Sequence, residues 1–343
     1  MDARLLAGRS RASRPLVALL LALATTLLAA CASPAATPAV SSVTPVPSSV
    51  AAASATPAPT AAAFPATLTD DEGTTVTIPS EPAKIVSLTP AATETLFAIG
   101  VGDRLVGKVE DFSLYPPEAA KVPDVAKFGS VDVEKIVGLG TDLVIAGGDN
   151  FNPPESIAKL RQLGVPVLVL YAPDIRTALA DIGLIGRAVG RPDQAAAIGA
   201  SIQAAVDEVS QATSTLPEPR VFYELDATNG YFGPAPDYFG TEMIGIAGGQ
   251  PLTSGTPGVY QIEAEKIIAF DPQVILLGDA AYGVTASQVA QRPGWDTLSA
   301  VKTGNVRPID DVIVTRPGPR LAEGIRALAI AIHPDLAPPS TAP

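Results

Sequence analysis

The chain is poor in the residues on which most enzyme chemistry rests: its 343 residues hold one cysteine, Cys31, and one histidine, His333. A single cysteine excludes an intramolecular disulfide. A single histidine excludes the multi-histidine sets that capture zinc and similar metals, and leaves only His333 for a Ser-His-Asp or Cys-His arrangement. That residue sits in Ile332-His333-Pro334, just past a helical pattern, and reads as a helix end. Cations are also scarce, 23 Lys and Arg against 35 Asp and Glu, for a formal charge of -12. Nucleic-acid binding, which needs a basic face to displace counterions, is thereby excluded. Aromatics make up 5% of the chain, with one tryptophan, so the 47% hydrophobic content is largely aliphatic. The length allows two modest domains and a sizeable core.

What is present begins with an address. Arg4, Arg9, Arg11 and Arg14 precede an apolar run from Leu16 to Leu28, too short for a comfortable membrane span, so residues 1–30 read as a secretory signal. The run ends in Leu28-Ala29-Ala30-Cys31, which resembles the bacterial lipobox, and Cys31 becomes the expected lipidated first residue. Residues 31–63 are dominated by Ala, Pro, Ser, Thr and Val and predict a disordered tether. The expected location is therefore extracytoplasmic, held to the cell membrane by a lipid anchor, on the outer face of the cytoplasmic membrane or in a periplasm.

From Phe64 onward a small hairpin, turning at Asp70-Asp71-Glu72-Gly73, leads into alternating apolar strands and amphipathic helices, the pattern of parallel-sheet α/β domains. The pattern occurs twice. Strand Lys84–Leu88 and a helix with Thr93-Glu94 are echoed by strand Arg220–Glu224 and a helix with Thr241-Glu242. Glu134 to Ile145 is echoed by Glu265 to Leu276, each a short helix running into a buried strand with a Glu at the helix start. The echoes predict two lobes, 64–172 and 217–336, with linking helices over 173–216 and a disordered tail over 337–343. Within the link, Asp174 to Gly190 reads as one helix, and Pro192 starts another reaching about Thr213. Ile198, Ile202, Val206 and Val209 mark its buried face. A helical connection implies limited hinge motion and leaves a cleft between the lobes.

The segments Ile85–Glu94, Tyr115-Pro-Pro-Glu118, Phe128-Gly129 with Val133–Ile136, Arg292-Pro-Gly-Trp295 and Arg316-Pro-Gly-Pro-Arg320, in that order, resemble the helical-backbone class of periplasmic binding proteins over roughly residues 65 to 335. That class takes up iron-siderophores, haem and cobalamin. The resemblance implies an α/β fold of two Rossmann-like lobes with parallel sheets, joined by a long backbone helix, with the ligand cleft between them. It implies a monomer that captures its ligand without chemical change, uses no cofactor and hands the ligand to the permease dimer of an ABC importer. Glu134 and Glu265 match the carboxylates with which the class docks on permease arginines. Two carboxylates far apart can read orientation on a pseudo-symmetric partner. A helix-start Glu also satisfies the helix dipole.

For the ligand, the resemblance points to cleft loops: Phe112, Tyr115 and Phe128 in the first lobe, and Tyr231, Phe232, Tyr260, Tyr282 and Arg316 in the second. Aromatic faces suit a flat macrocycle, and an Arg can pair with an anionic group. Trp295 reads instead as a core plug, and Arg320 as structural. A corrinoid such as cobalamin is the favoured ligand, with a ferric siderophore or haem as alternatives. Cobalamin binders of the class can carry a Trp where this chain has Val259, a departure that leaves the alternatives open. Two other classes remain: a ligand sensor without transport, and a cleft enzyme, for which no carboxylate spacing stands out.

Overall fold

The structure, a computed structural model, describes residues 64–336 apart from Leu114 and Asn150. The secretory leader, the Cys31 anchor, the tether to residue 63 and the tail over 337–343 lie outside the described residues. The hairpin pairs β1 (Ala66–Thr69) with β2 (Thr75–Ile78), and Asp70 fixes its turn by accepting from Thr74 N at 2.8 Å. The first lobe follows: β3 (Ile85–Ser87), α1 (Pro90–Ala98), β4 (Leu105–Val109), β5 (Asp124–Lys127), β6 (Ser130–Val131), α2 (Val133–Gly138), β7 (Leu143–Ala146), α3 (Pro154–Gln162) and β8 (Val167–Val169). Its sheet runs β6-β5-β4-β3-β7-β8, parallel except for the terminal β6. Strands β3 and β7 are buried throughout, as parallel strands covered by helices on both faces are.

The link comprises α4 (Ile175–Ala188) and α5 (Pro192–Thr213). Asp174 caps α4 by accepting from Thr177 N at 2.7 Å, and Pro192 supplies the pre-set first turn of α5. Ile202 and Val209 of α5 are buried and Ile198 and Val206 half-buried against the core, as the four-four-three spacing predicts. At 1.5 Å per residue, α5 runs about 33 Å.

The second lobe repeats the plan with β9 (Arg220–Glu224), β10 (Tyr231–Phe232), α6 (Phe239–Ile246), β11 (Gln250–Pro251), β12 (Gln261–Ile262), α7 (Ala264–Phe270), β13 (Val274–Leu277), α8 (Ala286–Ala290), α9 (Ser299–Lys302), β14 (Val306–Pro308), α10 (Asp311–Thr315) and α11 (Leu321–Ile332). Its sheet, β11-β9-β13-β14, is parallel, and β10 and β12 form a separate antiparallel pair. One core runs through both lobes by way of α1, α4, α5, α6 and α11, while a separate core fills the far side of each sheet. Trp295 is fully buried in the second lobe's outer core, as Pro-Gly-Trp predicts, and His333 caps α11. Gly324 permits close passage of α11 over α10: a Cβ there would lie 2.2 Å from the Ile313 carbonyl oxygen. That contact fixes the Arg316–Arg320 turn between the two helices.

Candidate functional site: a cleft between the lobes

In parallel sheets a crevice opens beyond the carboxyl ends of strands where the strand order reverses. The first sheet reverses at β3, the second at β9. The chain leaving these strands, Thr89 to Ala92 after β3 and Leu225 after β9, borders one cavity of about 720 Å³. The segments after β7 and β8 add Gly148, Asp149, Phe151, Tyr171 and Pro173. From the second lobe come Asp237, Tyr238, Phe239, Tyr260 and Arg316, and α4 forms the inner wall with Asp181, Ile182 and Ile185. Such a cavity is of the size that holds a bulky organic ligand. Aromatic pairs stand on both sides: Phe128 edge-on to Phe151 with centroids 5.8 Å apart, and Tyr238 edge-on to Tyr260 at 5.8 Å.

The cleft's single lining guanidinium among the described residues is already engaged. Arg316 donates to Glu94 Oε1 at 2.8 Å and, through two nitrogens, to Asp111 at 2.8 and 2.7 Å. Arg320 donates to both oxygens of Glu94 at 2.8 Å, and its guanidinium lies 3.8 Å from the centroid of the Tyr115 ring. Two carboxylates from the first lobe thus balance two guanidiniums from the second in a nearly dry site. Although burial opposes it, the Arg316 guanidinium and the Ser113 donors hold the Asp111 carboxyl below its usual range. Against these neutralised arginines the cavity presents four carboxyls, of Glu72, Asp149, Asp181 and Asp237. Glu72 is paired with Arg161 at 3.1 Å.

Asp181 is the residue that the sequence reading missed. It interrupts the apolar stripe Ile175, Ala178, Ile182, Ile185 of α4, and a charged residue inside such a stripe was the available signal. Burial, followed by repulsion from Asp71, pushes its carboxyl up to about 8. In the second lobe burial and the neighbouring Glu224 push Asp279 up to about 6. A carboxyl raised in the folded state binds its proton more tightly there than in the unfolded chain. Its contribution to stability is complete below about pH 4 and is lost as pH rises through the folded value. The melting temperature is therefore expected to fall between about pH 5 and about pH 8.5, and Asp181→Asn to flatten most of that slope above about pH 6. An unchanged slope in calorimetry of the variant would remove Asp181 from this role.

The structure brings some of the sequence-nominated residues together and separates others. Tyr260 and Arg316 border the cavity, and Phe128 meets it through Phe151. Tyr115 lies beneath Arg320. Tyr231 packs 4.8 Å from Trp295 with Arg292 above it, Phe232 pairs through its backbone with Leu225 and Asp226, and neither borders the cavity. Phe112 and Tyr282 are 86% and 79% exposed and do not border the cavity. Glu134 and Glu265 are exposed in the first turns of α2 and α7. The lysine after each is turned aside to a backbone carbonyl, Lys135 to Asp124 at 2.7 Å and Lys266 to Ser254 at 2.5 Å. Among the described residues no cluster has the makings of a metal site, and no helix is long and apolar enough to cross a membrane.

Comparison with known proteins gives concordant matches. A profile of periplasmic binding proteins matches residues 85–312. The chain is 34% identical, over 277 residues covering 79% of it and 87% of the relative, to an uncharacterised ABC transporter substrate-binding lipoprotein, YvrC, of Bacillus subtilis. It is 32% identical over 287 residues, 80% of this chain and 75% of the relative, to a cobalamin-binding protein of Halobacterium salinarum. The crystal structure of the periplasmic vitamin B12-binding protein BtuF of Vibrio cholerae superposes with a TM-score of 0.65 at 26% identity, covering 74% of this chain and 97% of that one. Solved haem-binding proteins share the fold as well.

Proposed function

We propose, on the premise that this chain belongs to the periplasmic binding protein family, that it is the corrinoid-capturing component of an ABC importer. It works outside the cytoplasm on a lipid anchor at Cys31 and delivers its ligand to the permease through Glu134 and Glu265. Members of such families bind and release, so no chemical turnover is expected.

The observation that carries the ligand assignment is the charge of the cleft. Four carboxyls border it, and the one bordering guanidinium is saturated by Glu94 and Asp111. A ferric catecholate carries several negative charges and haem carries two propionates. Either would have to displace those carboxylates or enter a cleft whose lining, among the described residues, adds further acidic groups and no free cation. A corrinoid offers a flat macrocycle with neutral carboxamide arms, matching aromatic walls and hydrogen-bond acceptors. The haem reading draws on Tyr171, Tyr238 and Tyr260 in the cleft as possible iron ligands. Burial raises the phenols of Tyr238 and Tyr260, which opposes the phenolate that ferric iron prefers.

Thermal-shift titration with cyanocobalamin, dicyanocobinamide, haemin and ferric catecholates tests the reading. A corrinoid at 100 times its dissociation constant is expected to stabilise the fold by about 2.7 kcal/mol. A shift with haemin or a ferric catecholate and none with the corrinoids would overturn the ligand assignment and leave the family standing.

A further inference from the structure

The inner wall of the cleft carries an acceptor that the protein itself leaves unused. Asp181 is 7% exposed and borders the cavity, and its Oδ1 is buried with no hydrogen-bond partner. The side chain within hydrogen-bonding reach is another carboxyl, Asp71, whose Oδ2 accepts from Tyr171 N at 2.7 Å. Asp174 adds negative potential from the start of the same helix, and Glu72 of the hairpin turn borders the same cavity. Arg161, the cation of that turn, is taken up by Asp70 and Glu72 at 2.8 and 3.1 Å. Two carboxyls within hydrogen-bonding reach, one of them buried and the other half-buried, settle by sharing one proton, and burial fits this by favouring protonated Asp181. With the proton between them, the outer lone pairs of Asp181 have no donor. A buried acceptor without a donor is a standing cost that a ligand donor removes.

We propose that Asp181, backed by Asp71, selects the ligand: it accepts an N–H of one peripheral carboxamide and rejects a carboxylate at the same place. The assignment rests on the corrinoid reading, since the corrin ring presents several such carboxamides at fixed positions around its rim. A carboxylate there would make three carboxyl groups compete for one proton in a desolvated site. Sites with buried polar groups discriminate strongly for this reason, because the wrong partner leaves those groups unpaired.

The test uses cyanocobalamin and its singly hydrolysed derivatives, in which one propionamide has become a carboxylate, titrated calorimetrically at neutral pH. The unaltered protein is expected to bind at least one derivative about tenfold or more weakly than cyanocobalamin. Asp181→Leu, which removes the acceptor, is expected to close that gap to less than about threefold by weakening cyanocobalamin. Asp181→Asn keeps an acceptor oxygen and a hydrogen bond to Asp71, and is expected to hold cyanocobalamin within about threefold of the unaltered protein. A gap that persists in Asp181→Leu, an equal loss in the Asn variant, or no discrimination by the unaltered protein overturns the role of Asp181. If the unaltered protein binds none of the probes, the corrinoid reading itself fails and the acceptor assignment falls with it.

Discussion

Replacing Glu94 with alanine is expected to destabilise the protein by about 3–5 kcal/mol, because it removes the carboxylate that two guanidiniums share in a site with almost no water. The Glu94 side chain is 1% exposed, and it accepts from Arg316 once and from Arg320 twice, all at 2.8 Å. Without it Arg320 keeps only the face of Tyr115, and Arg316 keeps Asp111. The lost attraction is not recovered by solvent, since Arg316 and Arg320 are themselves largely buried. The melting temperature is expected to drop by roughly 6–10 °C. Glu94→Gln, which keeps an acceptor oxygen, is expected to lose less. The partners come from opposite lobes, Glu94 on α1 and the arginines around the α10–α11 turn, so the same change loosens the cleft and weakens ligand binding. A drop in stability under about 1 kcal/mol would mean that the network is solvated and contributes as little as a surface pair.

The second large effect concerns delivery. Glu134→Arg combined with Glu265→Arg is expected to abolish uptake by cells while leaving ligand affinity and melting temperature nearly unchanged. The two carboxylates are exposed, and among the described residues neither has a hydrogen bond or ion pair to lose. Under the proposed docking, reversal turns two attractions for permease arginines into two repulsions, and misplaced like charges at an interface cost several kcal/mol. Because a rim charge acts on encounter, each single reversal is expected to give an intermediate, salt-sensitive loss. Normal uptake by the double variant would remove these residues from docking and favour a protein that senses its ligand without transporting it.

What the sequence made legible were features written in consecutive residues. The 22-residue α5 followed from Pro192 and an apolar stripe, and the two-lobed plan followed from the echo of Glu134–Ile145 in Glu265–Leu276. The terminal positions of Asp174 and His333 were equally local. The site was legible only as a set of loops. Arg316 reads in sequence as a free cation for a ligand, but its partners lie 205 and 222 residues away, a pairing that no periodicity encodes. Tyr231 and Phe232 read as loop aromatics, but both lie in the short β10 strand, which sets Tyr231 against Trp295. Asp181 carried a local signal, a lone acid in an apolar stripe. Its meaning came only when the hairpin turn set Asp71 beside it and the cleft opened next to it.

These placements shift the weight of the ligand argument from a cation that pairs with an anionic cargo to a cleft that repels one. The arginines brace the lobes, the aromatics line the walls, and Asp181 keeps an acceptor oxygen without a donor. Isothermal titration of the protein with cyanocobalamin, repeated at low and high salt, tests this most directly. The expected result is one site per chain at micromolar affinity or tighter. That affinity should change little between about 50 mM and about 500 mM salt, because a ligand without net charge gains nothing from screening. No heat with cyanocobalamin, together with saturable, salt-sensitive binding of haemin or a ferric catecholate, would contradict the account.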